Sequence, residues 1–488
     1  MVMYRNIFKR VFLLALLLPW GCGQREGTSS REEGLPNIIF ILADDLGYGD
    51  PGCYGQEKIL TPNIDRLASE GIRFTRHYAG STVCAPSRSV LMTGLHTGHT
   101  FIRGNREVQP EGQVPLPDSI LTLPEILKQA GYVTGAFGKW GLGYPGSEGD
   151  PQNQGFDHFF GYNCQRYAHR YYPAYLWEDG RKVDLEGNDW TRKVTYAPDL
   201  IQEKTLDFIR QYSDTTFFAF VPVTIPHAEL VVPEDSIFHH YRGKFPETPY
   251  EGRPGADYGP DMVIGMYCSQ EYPHATFAAM VSRLDLYVGQ IMETLAELGI
   301  ADNTMIMFSS DNGPHHEGGA DPGFFNSNGG LRGIKRDLYE GGIRVPFIVS
   351  WPGKISNGRV SAHMSAFWDL MPTLADLTGA EVEETDGISF LPELMGEEQP
   401  AHPYLYWEFH EQGGKQAVLQ GDWKAVRLNV AEDPQGEPEL YNLAESSSEQ
   451  HNVAAGHPEV VKQMKRLMEE ARTPSDLFNF GSSTYSGE

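Results

Sequence analysis

The sequence predicts a doubly wound α/β sheet followed by a smaller α+β subdomain made of antiparallel strands and a helix. Five apolar runs have the length of strands and do not alternate with polar residues, as expected for strands buried on both faces of a parallel sheet. Amphipathic helical patterns lie between these runs, and strands that alternate with helices build a sheet with right-handed crossovers. After residue 403 the spacing changes to that of short antiparallel strands.

The elements of the large sheet are predicted in chain order from these patterns. Strands are predicted at 37–42, 133–137, 217–221, 305–308 and 345–349, and helices at 61–71, 121–131, 198–212, 275–299 and 366–379. The helix at 275–299 has the clearest pattern, because its apolar residues recur four and three positions apart and form one stripe. A long segment rich in Tyr, Pro and Gly, 238–273, is predicted to cover the functional site or to carry specificity.

The C-terminal part is predicted to be a separate, small subdomain. An acidic stretch rich in Gly and Pro, 381–403, is typical of a linker. Strands are predicted beyond it at 404–409, 416–420 and 423–428, the last two as a tight hairpin, and a helix is predicted at 458–472. The predicted organisation is a signal peptide at 1–22, a tether at 23–35, an α/β domain at 36–380 and a C-terminal subdomain at 381–488.

The N-terminal segment predicts export to the periplasm or the cell surface. Arg5, Lys9 and Arg10 precede an apolar run at 11–20 that is too short to span a bilayer, which is typical of a signal peptide. A cysteine, Cys22, follows the run and suggests a lipoprotein with a lipid anchor at that residue. An ordinary secretory peptide that is cleaved nearby is the alternative, and the sequence favours neither.

Net charge and cysteine content exclude two classes of protein. The formal net charge is −26, from 39 Lys and Arg against 65 Asp and Glu, which excludes a nucleic-acid partner because such binding needs cations to neutralise phosphates. Any anion site must therefore be a local, focused pocket. The five cysteines have no regular spacing, so no disulfide scaffold is predicted.

Polar side chains follow four of the predicted strands, at the point where each strand ends. The four ends carry acids, a lysine, a histidine and an amide, in the residues Asp44, Asp45, Lys139, His227, Asp311 and Asn312. In sheets of this class the carboxyl ends of the strands form the ligand site. Oxygen ligands alone select a hard cation, calcium or magnesium. The alternative is that each acidic pair merely caps a turn, but two pairs after two buried strands favour the metal.

A single cysteine, Cys84, lies in a segment that could bind an anion. Pro86 is placed to begin a helix, and the backbone N–H groups at that helix end would face the anion. Arg88 follows one turn later and can point to the same place. A lone cysteine is more often a small buried apolar residue, so the residues by themselves leave both interpretations open.

Several motifs together resemble the type I, formylglycine-dependent sulfatases. Cys84-Ala85-Pro86-Ser87-Arg88 has the form of the Cys-x-Pro-x-Arg signature of that family. The resemblance continues in the segments 44–50, 91–94, 138–143, 311–313, 331–335 and 439–443, and it covers about residues 36–470. It implies an alkaline-phosphatase-like α/β fold with a C-terminal subdomain, and an enzyme that hydrolyses sulfate esters.

The resemblance also implies a cofactor, a modification and a role for each motif residue. Asp44, Asp45, Asp311 and Asn312 match ligands of a calcium ion, together with residue 84. Cys84 is expected to be oxidised to formylglycine by a formylglycine-generating or sulfatase-maturing enzyme, and its hydrate to be the nucleophile. Arg88 is expected to steady the hydrate. Lys139 and Lys335 are expected to hold the sulfate oxygens, and His227 is expected to lie near the leaving oxygen.

One position departs from the family pattern. The family usually has a histidine two residues after the lysine that matches Lys139, and this chain has Gly141 there. That histidine is associated with deprotonation of the second hydroxyl of the hydrate. His99 is a candidate replacement, although a structural histidine is the alternative.

The substrate is expected to be a sulfated saccharide, of galactose or N-acetylgalactosamine type. Gln165, Arg166 and His169 lie in a stretch dense in polar and aromatic residues that resembles bacterial carbohydrate sulfatases, and His315 follows the metal residues. These four residues are predicted to bind substrate. A phosphodiesterase or phosphonate hydrolase of the same superfamily is one alternative, which a second zinc site would favour. A non-catalytic glycan-binding lipoprotein is another.

Overall fold

The computed structural model describes residues 34–189, 192–252 and 267–481. All described helices and strands belong to one compact unit that begins at Leu35. The predicted signal peptide and nearly all of the tether lie outside the described residues, as does Cys22 with its predicted lipid anchor. The domain boundary at residues 380 and 381 stays a prediction.

Within the described residues the chain forms sixteen strands and eleven α-helices. The strands are β1 (Asn37–Asp44), β2 (Ile72–Phe74), β3 (His77–Tyr78), β4 (Val133–Lys139), β5 (His158–Tyr162), β6 (Tyr175–Glu178), β7 (Arg181–Asp184), β8 (Phe217–Pro226), β9 (Thr304–Ser310), β10 (Phe347–Ser350), β11 (Arg359–Ser361), β12 (Ser365–Ala366), β13 (Leu405–Phe409), β14 (Lys415–Gln420), β15 (Trp423–Leu428) and β16 (Glu439–Asn442). The helices are α1 (Pro62–Ser69), α2 (Cys84–Thr93), α3 (Leu123–Gln129), α4 (Ala197–Gln211), α5 (Ser236–Tyr241), α6 (Pro273–Glu297), α7 (Pro322–Phe325), α8 (Glu340–Ile343), α9 (Leu370–Thr378), α10 (Leu391–Met395) and α11 (Pro458–Glu470).

Ten strands form one mixed sheet in the order β11-β2-β10-β9-β1-β8-β4-β5-β6-β7. Its centre, β9-β1-β8-β4-β5, is parallel throughout, which confirms the predicted α/β class. The strands predicted from apolar runs are present but longer at their carboxyl ends, because β1 and β4 continue into polar residues of the site and β8 and β9 end directly before such residues.

The sheet has helices on both faces, and alternate residues of its strands feed two separate cores. In β1, Ile38, Phe40 and Leu42 belong to the core under α2, α3 and α9. Ile39 and Ile41 belong to the opposite core, under α1, α4 and α6. A central strand with both faces buried needs apolar residues at successive positions, which explains why its sequence does not alternate.

Two features of the large sheet differ from the sequence prediction. The fifth apolar run forms β10, which pairs antiparallel with β9, with Phe347 opposite Ser309. A strand buried on both faces is equally apolar in either direction, so its composition carries no information on orientation. The strands β5, β6 and β7 on one side of the sheet and β2 and β11 on the other were not predicted, because they are short and their pattern is partly polar.

The C-terminal strands form a four-stranded antiparallel sheet, β13-β14-β15-β16, as the α+β prediction required. The predicted hairpin is confirmed: Gln420 lies opposite Trp423, and Gly421 takes a left-handed conformation in the two-residue loop. Helix α11 packs on this sheet through Val461 and Met464.

The segment 381–403 is not a free linker. Phe390 and Leu394 are fully buried, and the Phe390 ring lies 5.9 Å from that of Phe74 and 5.7 Å from that of Phe347. The sequence analysis did not identify these two buried residues, because the segment around them is acidic and rich in Gly. The four cysteines among the described residues are unpaired, and no described helix is both long enough and apolar enough to cross a bilayer.

A buried ion cluster joins β15 to the large α/β unit. Lys424 Nζ lies 2.9 Å from Glu340 Oε1 and 3.0 Å from Glu449 Oε1, and all three side chains are fully buried. Tyr78 donates to the second oxygen of Glu340 at 3.0 Å. Replacement of the ammonium group would leave Glu449 without a cation and Glu340 with Arg344 alone, 3.4 Å from its second oxygen, in a medium of low polarity.

We therefore expect Lys424→Ala to lower the free energy of unfolding by about 3–5 kcal/mol, measured by urea denaturation. Lys465→Ala is the matched control, because Lys465 pairs with the exposed Glu437 on the surface. It should cost less than about 1 kcal/mol. Equal effects of the two variants would contradict the interpretation.

Candidate active site

The predicted polar residues meet at the carboxyl edge of the sheet because β9, β1, β8 and β4 are neighbours. Asp44 is the last residue of β1, and Asp45 begins the turn after it. Lys139 ends β4, while His227 and Asp311 directly follow β8 and β9. Asp45 has a φ of 62°, a conformation that is uncommon for an aspartate and that turns the chain directly after the strand. The sheet therefore collects residues that are up to 267 positions apart.

Each carboxylate of this cluster contacts a cation. Arg88 Nη2 lies 2.9 Å from Asp311 Oδ2, and Arg88 also donates to the backbone oxygen of Lys139. The two lysines supply the other contacts, which are 2.8 Å from Lys139 Nζ to Asp44 Oδ2 and 2.7 Å from Lys335 Nζ to Asp45 Oδ2. The site is a buried lattice of opposite charges, since none of these side chains is exposed by more than 4 %.

These charges set the protonation states of the acids. Burial opposes ionisation of Asp44, but the charges of Lys139, Arg88 and Lys335 outweigh it and hold the pKa of Asp44 well below its usual value. Burial and the neighbouring Asp44 raise the pKa of Asp311 to about 6. Because Asp311 has the raised pKa, its ionised form is the one that a divalent cation would stabilise most.

Cys84 begins helix α2 and is 1 % exposed. Its Sγ lies 3.4 Å from Asp44 Oδ1 and 3.9 Å from Asp45 Oδ1. Burial, together with Asp311, raises the pKa of the Cys84 thiol well above its ordinary value. Sγ therefore marks where the side chain of residue 84 meets the acids, and the unmodified thiol there stays protonated.

The oxygen atoms beside Cys84 fit a hard cation. Asn312 donates from Nδ2 to Asp45 Oδ1 at 2.7 Å, while its Oδ1 is buried and has no hydrogen-bond partner among the described residues. Asp311 Oδ1 accepts from the Asp45 backbone at 3.1 Å, which ties Asp311 to the residue that Asn312 also contacts. Three carboxylates and one unsatisfied amide oxygen form the kind of ligand set that calcium takes.

His227 is held in one orientation between the backbone and Lys335. Its Nδ1 contacts the oxygen of Ala228, and its Nε2 lies 2.9 Å from Lys335 Nζ and 3.2 Å from Asp45 Oδ2. Because a carbonyl can only accept, we assign the ring proton to Nδ1, which leaves Nε2 to accept from Lys335. Burial and the charge of Lys335 hold the pKa of His227 well below its ordinary value, so the ring is neutral.

Two of the residues predicted to bind substrate stack on His227. The ring of His169 lies 4.3 Å from that of His227, and the buried His169 Nε2 has no hydrogen-bond partner among the described residues. The ring of His315 lies 5.3 Å from that of His227, and its two nitrogens are bonded to the backbones of Pro226 and Glu317. Contact of either histidine with a substrate stays a prediction.

The other two predicted substrate residues have protein partners. Gln165 donates to Asn105 Oδ1 at 3.1 Å, and Arg166 lies 3.2 Å from Glu107. Asn105, which sequence analysis missed, also accepts from the backbone of Ala85, next to residue 84. Its short sequence context carries no motif that could have revealed this role.

Two further sequence predictions can be placed. Tyr267, in the segment predicted to cover the site, has its ring 5.9 Å from that of His169, while 253–266 lie outside the described residues. His99, the candidate replacement at position 141, instead lies 2.9 Å from Asp386 and stacks on His96. These contacts identify His99 as part of the junction with the 381–403 segment.

Comparison with known proteins then decides the family. A family profile described as Sulfatase matches residues 36–380. The chain belongs to the sulfatase family. A second profile, for the C-terminal region of N-sulphoglucosamine sulphohydrolase, matches residues 333–474. The resemblance predicted from the motifs is confirmed, and with it the alkaline-phosphatase-like fold and the assignment as an enzyme that hydrolyses sulfate esters.

This sulfatase is similar to curated carbohydrate sulfatases along most of its length. It is 29% identical to N-acetylgalactosamine-6-O-sulfatase of Bacteroides thetaiotaomicron, over 96% of this chain and 100% of the relative. It is 33% identical to human N-acetylgalactosamine-6-sulfatase, over 76% of this chain and 68% of the relative. The crystal structure of Ps i-CgsB in complex with k-i-k-neocarrahexaose has a TM-score of 0.75 and 28% identity, covering 92% of this chain and 96% of that chain.

A close backbone contact fixes Lys139 in the site. Gly138 has a φ of 138°, and a Cβ there would lie 2.0 Å from the backbone oxygen of Pro222 on β8. We expect Gly138→Ala to destabilise the protein by at least about 2 kcal/mol and to displace Lys139, with a loss of sulfatase activity. Gly146→Ala is the control, because Gly146 also has a positive φ but nothing lies within 4 Å of its added Cβ. Equal stability of the two variants would contradict this account.

Proposed function

We propose that this sulfatase removes 6-O-sulfate groups from galactose or N-acetylgalactosamine units of a sulfated saccharide, using formylglycine derived from Cys84 and one calcium ion. One observation carries the proposal, namely that three buried carboxylates and three buried cations surround the side chain of residue 84. Nothing in the packing of an α/β sheet requires such a cluster, which costs desolvation energy. An enzyme that must bind and transfer an anion does require it.

Asp44, Asp45, Asp311 and Asn312 would hold the calcium ion through oxygen atoms. The unsatisfied Oδ1 of Asn312 supports this assignment, because buried polar atoms without a partner are rare. When bound there, calcium supplies Lewis-acid polarisation of a sulfate oxygen and lowers the pKa of a coordinated hydroxyl.

Cys84 is placed to provide the nucleophile after its oxidation. As an aldehyde hydrate, residue 84 would supply two hydroxyls on one carbon, one to attack sulfur and one whose deprotonation releases sulfate. A serine at this position lacks the second hydroxyl and could not release sulfate in this way. Arg88, fixed between Asp311 and the Lys139 backbone, would steady the hydrate from the same helix turn.

Lys139 and Lys335 would hold the sulfate. Their ammonium groups contact Asp44 and Asp45, whose oxygens lie within 3.9 Å of Cys84 Sγ, so both charges are close to the reacting atom. Fixed cations in a buried site stabilise the charge that builds on a transferring group and need no reorganisation.

Lys335, which His227 and Asp45 hold in place, would protonate the leaving oxygen of the sugar. Lys335 Nζ donates to His227 Nε2 at 2.9 Å and to Asp45 Oδ2 at 2.7 Å, which leaves its third proton for an alcohol that departs beside it. The neighbouring His169, with its unpaired Nε2, would bind a hydroxyl of the sugar ring at this side of the site.

The phosphohydrolase alternative is less well supported by the charges around Asp45. Asp45, His315 and Glu317 are close enough to hold a second ion. However, Arg336 pairs with Glu317 and both nitrogens of His315 are bonded to backbone atoms, while Lys335 Nζ lies 2.7 Å from Asp45 Oδ2. A fixed lysine at the place of a second divalent ion suits a sulfate ester, which has one negative charge. The completeness of the cluster also argues against a non-catalytic glycan-binding protein.

The names of two relatives support the choice of sugar and position. Both the bacterial and the human relative are N-acetylgalactosamine 6-sulfatases. The structural neighbour bound to k-i-k-neocarrahexaose supports a saccharide more broadly. Of the predicted substrate residues, His169 and His315 stack on His227 and would face the sugar at this side of the site.

The partners of the enzyme follow from the burial of Cys84 and from the N-terminal sequence. Because Cys84 is 1 % exposed, a maturing enzyme would have to oxidise it before folding is complete. We also propose export to the periplasm or the cell surface, with a lipid anchor at Cys22 as one form of attachment.

A panel of defined saccharides with sulfate at single positions tests the proposal. We expect 6-sulfated N-acetylgalactosamine or galactose to be desulfated, and Cys84→Ser and Cys84→Ala to lose turnover, because neither can form the hydrate. Mass spectrometry should find formylglycine at residue 84 of the active enzyme. Cys53→Ala, at a half-buried cysteine outside the cluster, should keep full activity. Activity in Cys84→Ala would refute the mechanism, and desulfation only at other positions would refute the choice of ester.

Calcium removal gives an independent test. At a free calcium concentration one hundred times Kd, binding should stabilise the native enzyme by about 2.7 kcal/mol, because the ion offsets the repulsion of buried carboxylates. A chelator should lower the Tm and abolish activity, and calcium should restore both. Asp311→Asn should reduce the calcium-dependent rise in Tm, whereas Asp422→Asn, on the surface, should not. A Tm insensitive to calcium in the native enzyme would contradict the site.

A further inference from the structure

The backbone of Gly141 and the side chain of Gln165 share one small space at the edge of the active site. Gly141 follows Lys139 by two residues and has a φ of 79°. A Cβ on Gly141 would lie 3.3 Å from Gln165 Oε1 and 3.6 Å from Gln165 Cβ. The Gly141 backbone also donates to the oxygen of Asn163 at 3.2 Å, so the two loops run side by side. The glutamine therefore occupies the volume that a side chain at position 141 would enter.

The amide of Gln165 is anchored at one end and free at the other. Its Nε2 donates to Asn105 Oδ1 at 3.1 Å, and the same oxygen accepts from the Ala85 backbone at 3.2 Å. Gln165 is 6 % exposed, and its Oε1 is buried without a hydrogen-bond partner among the described residues. A buried carbonyl oxygen without a donor is costly, which points to a donor that binds there in the working enzyme.

We propose that Gln165 is a positioning residue for residue 84: it acts through Asn105 on the start of α2 and offers Oε1 to a hydroxyl of the residue-84 hydrate. This inference rests on the proposed function, because it needs the hydrate. In this proposal Gln165 contacts the nucleophile rather than the sugar. Its amide fills the space that the imidazole of the usual family histidine at position 141 would occupy.

The chemistry of an amide limits what Gln165 does. Its carbonyl oxygen accepts a hydrogen bond but is not basic enough to remove a proton, so it orients the hydroxyl while the proton leaves to another group. Loss of this orientation should slow turnover and leave substrate affinity unchanged, because the sugar does not contact Gln165. Removal of such an orienting partner typically costs about 10- to 100-fold in activity.

Gln165→Met tests this role, since methionine has a similar length and shape but no amide. We expect kcat to fall about 10- to 100-fold at unchanged KM, with formylglycine still present at residue 84 by mass spectrometry. Asn105→Ala should have a similar effect, and the double variant should be no worse than the single ones, because the residues act as one chain. Gln202→Met is the matched control: Gln202 is a buried glutamine on α4 that donates to the Tyr287 backbone, and its loss should leave kcat unchanged.

The shared space gives a second test. Gly141→His alone should be strongly impaired, because its ring meets Gln165 and its backbone has a positive φ. Gly141→His combined with Gln165→Ala removes the overlap and should regain at least tenfold in kcat over Gly141→His alone. The rescue tests whether the two side chains share this space, whereas Gln165→Met tests the role of the amide.

Three outcomes would overturn the inference: full kcat in Gln165→Met, an effect on KM alone, which would place Gln165 on the sugar, and absence of rescue in the double variant. These are separable from failure of the proposed function. If Cys84→Ala stays active, both ideas fall. If Cys84→Ala is inactive and Gln165→Met is fully active, only the role of Gln165 falls.

Discussion

Buried carboxylates need buried positive charge, and this requirement organises the active site of this sulfatase. An unpaired ion in the protein interior costs several kcal/mol, so no member of the cluster can be removed without a penalty on its partner. The pairing also fixes geometry, because each cation is held by an acid that is itself fixed at a strand end. The pairs are Lys139 with Asp44, Lys335 with Asp45, and Arg88 with Asp311.

Strand ends supply the acids of the site, whereas a loop and a helix supply two of its cations. Asp44, Asp45 and Asp311 come from adjacent parallel strands, whose ends are rigidly spaced by the ladder between β1 and β9. Lys335 and Arg88 arrive from a loop and from helix α2, which pack over that edge. The acids are therefore fixed by the sheet, whereas Gln165 and His169, for which we propose roles toward residue 84 and the sugar, lie outside the strands of the sheet.

The sequence predicted the parts of this arrangement that depend on local pattern. Asp44 and Asp311 were predicted because each follows a non-alternating apolar run, and strand ends of a parallel sheet must meet. Contacts between segments that are distant in the sequence could not be predicted from local patterns. The direction of β10 and the anchoring of Phe390 depend on contacts that composition does not encode. The pairing of Gly141 with Gln165 is a relation between two loops, so the sequence showed only that a side chain was missing.

The charge of the cluster also explains how an acidic protein can bind an anionic substrate. The whole chain has a formal charge of −26, which repels a sulfated polymer at long range. That field is screened over about 10 Å at ordinary ionic strength, whereas the buried pairs act over contact distances in a medium of low polarity. Three carboxylates and three cations sum to zero, so the proposed calcium ion would make the pocket net positive. A sulfate ester that reaches the edge of the sheet would therefore be attracted by the pocket even though the chain as a whole is negative.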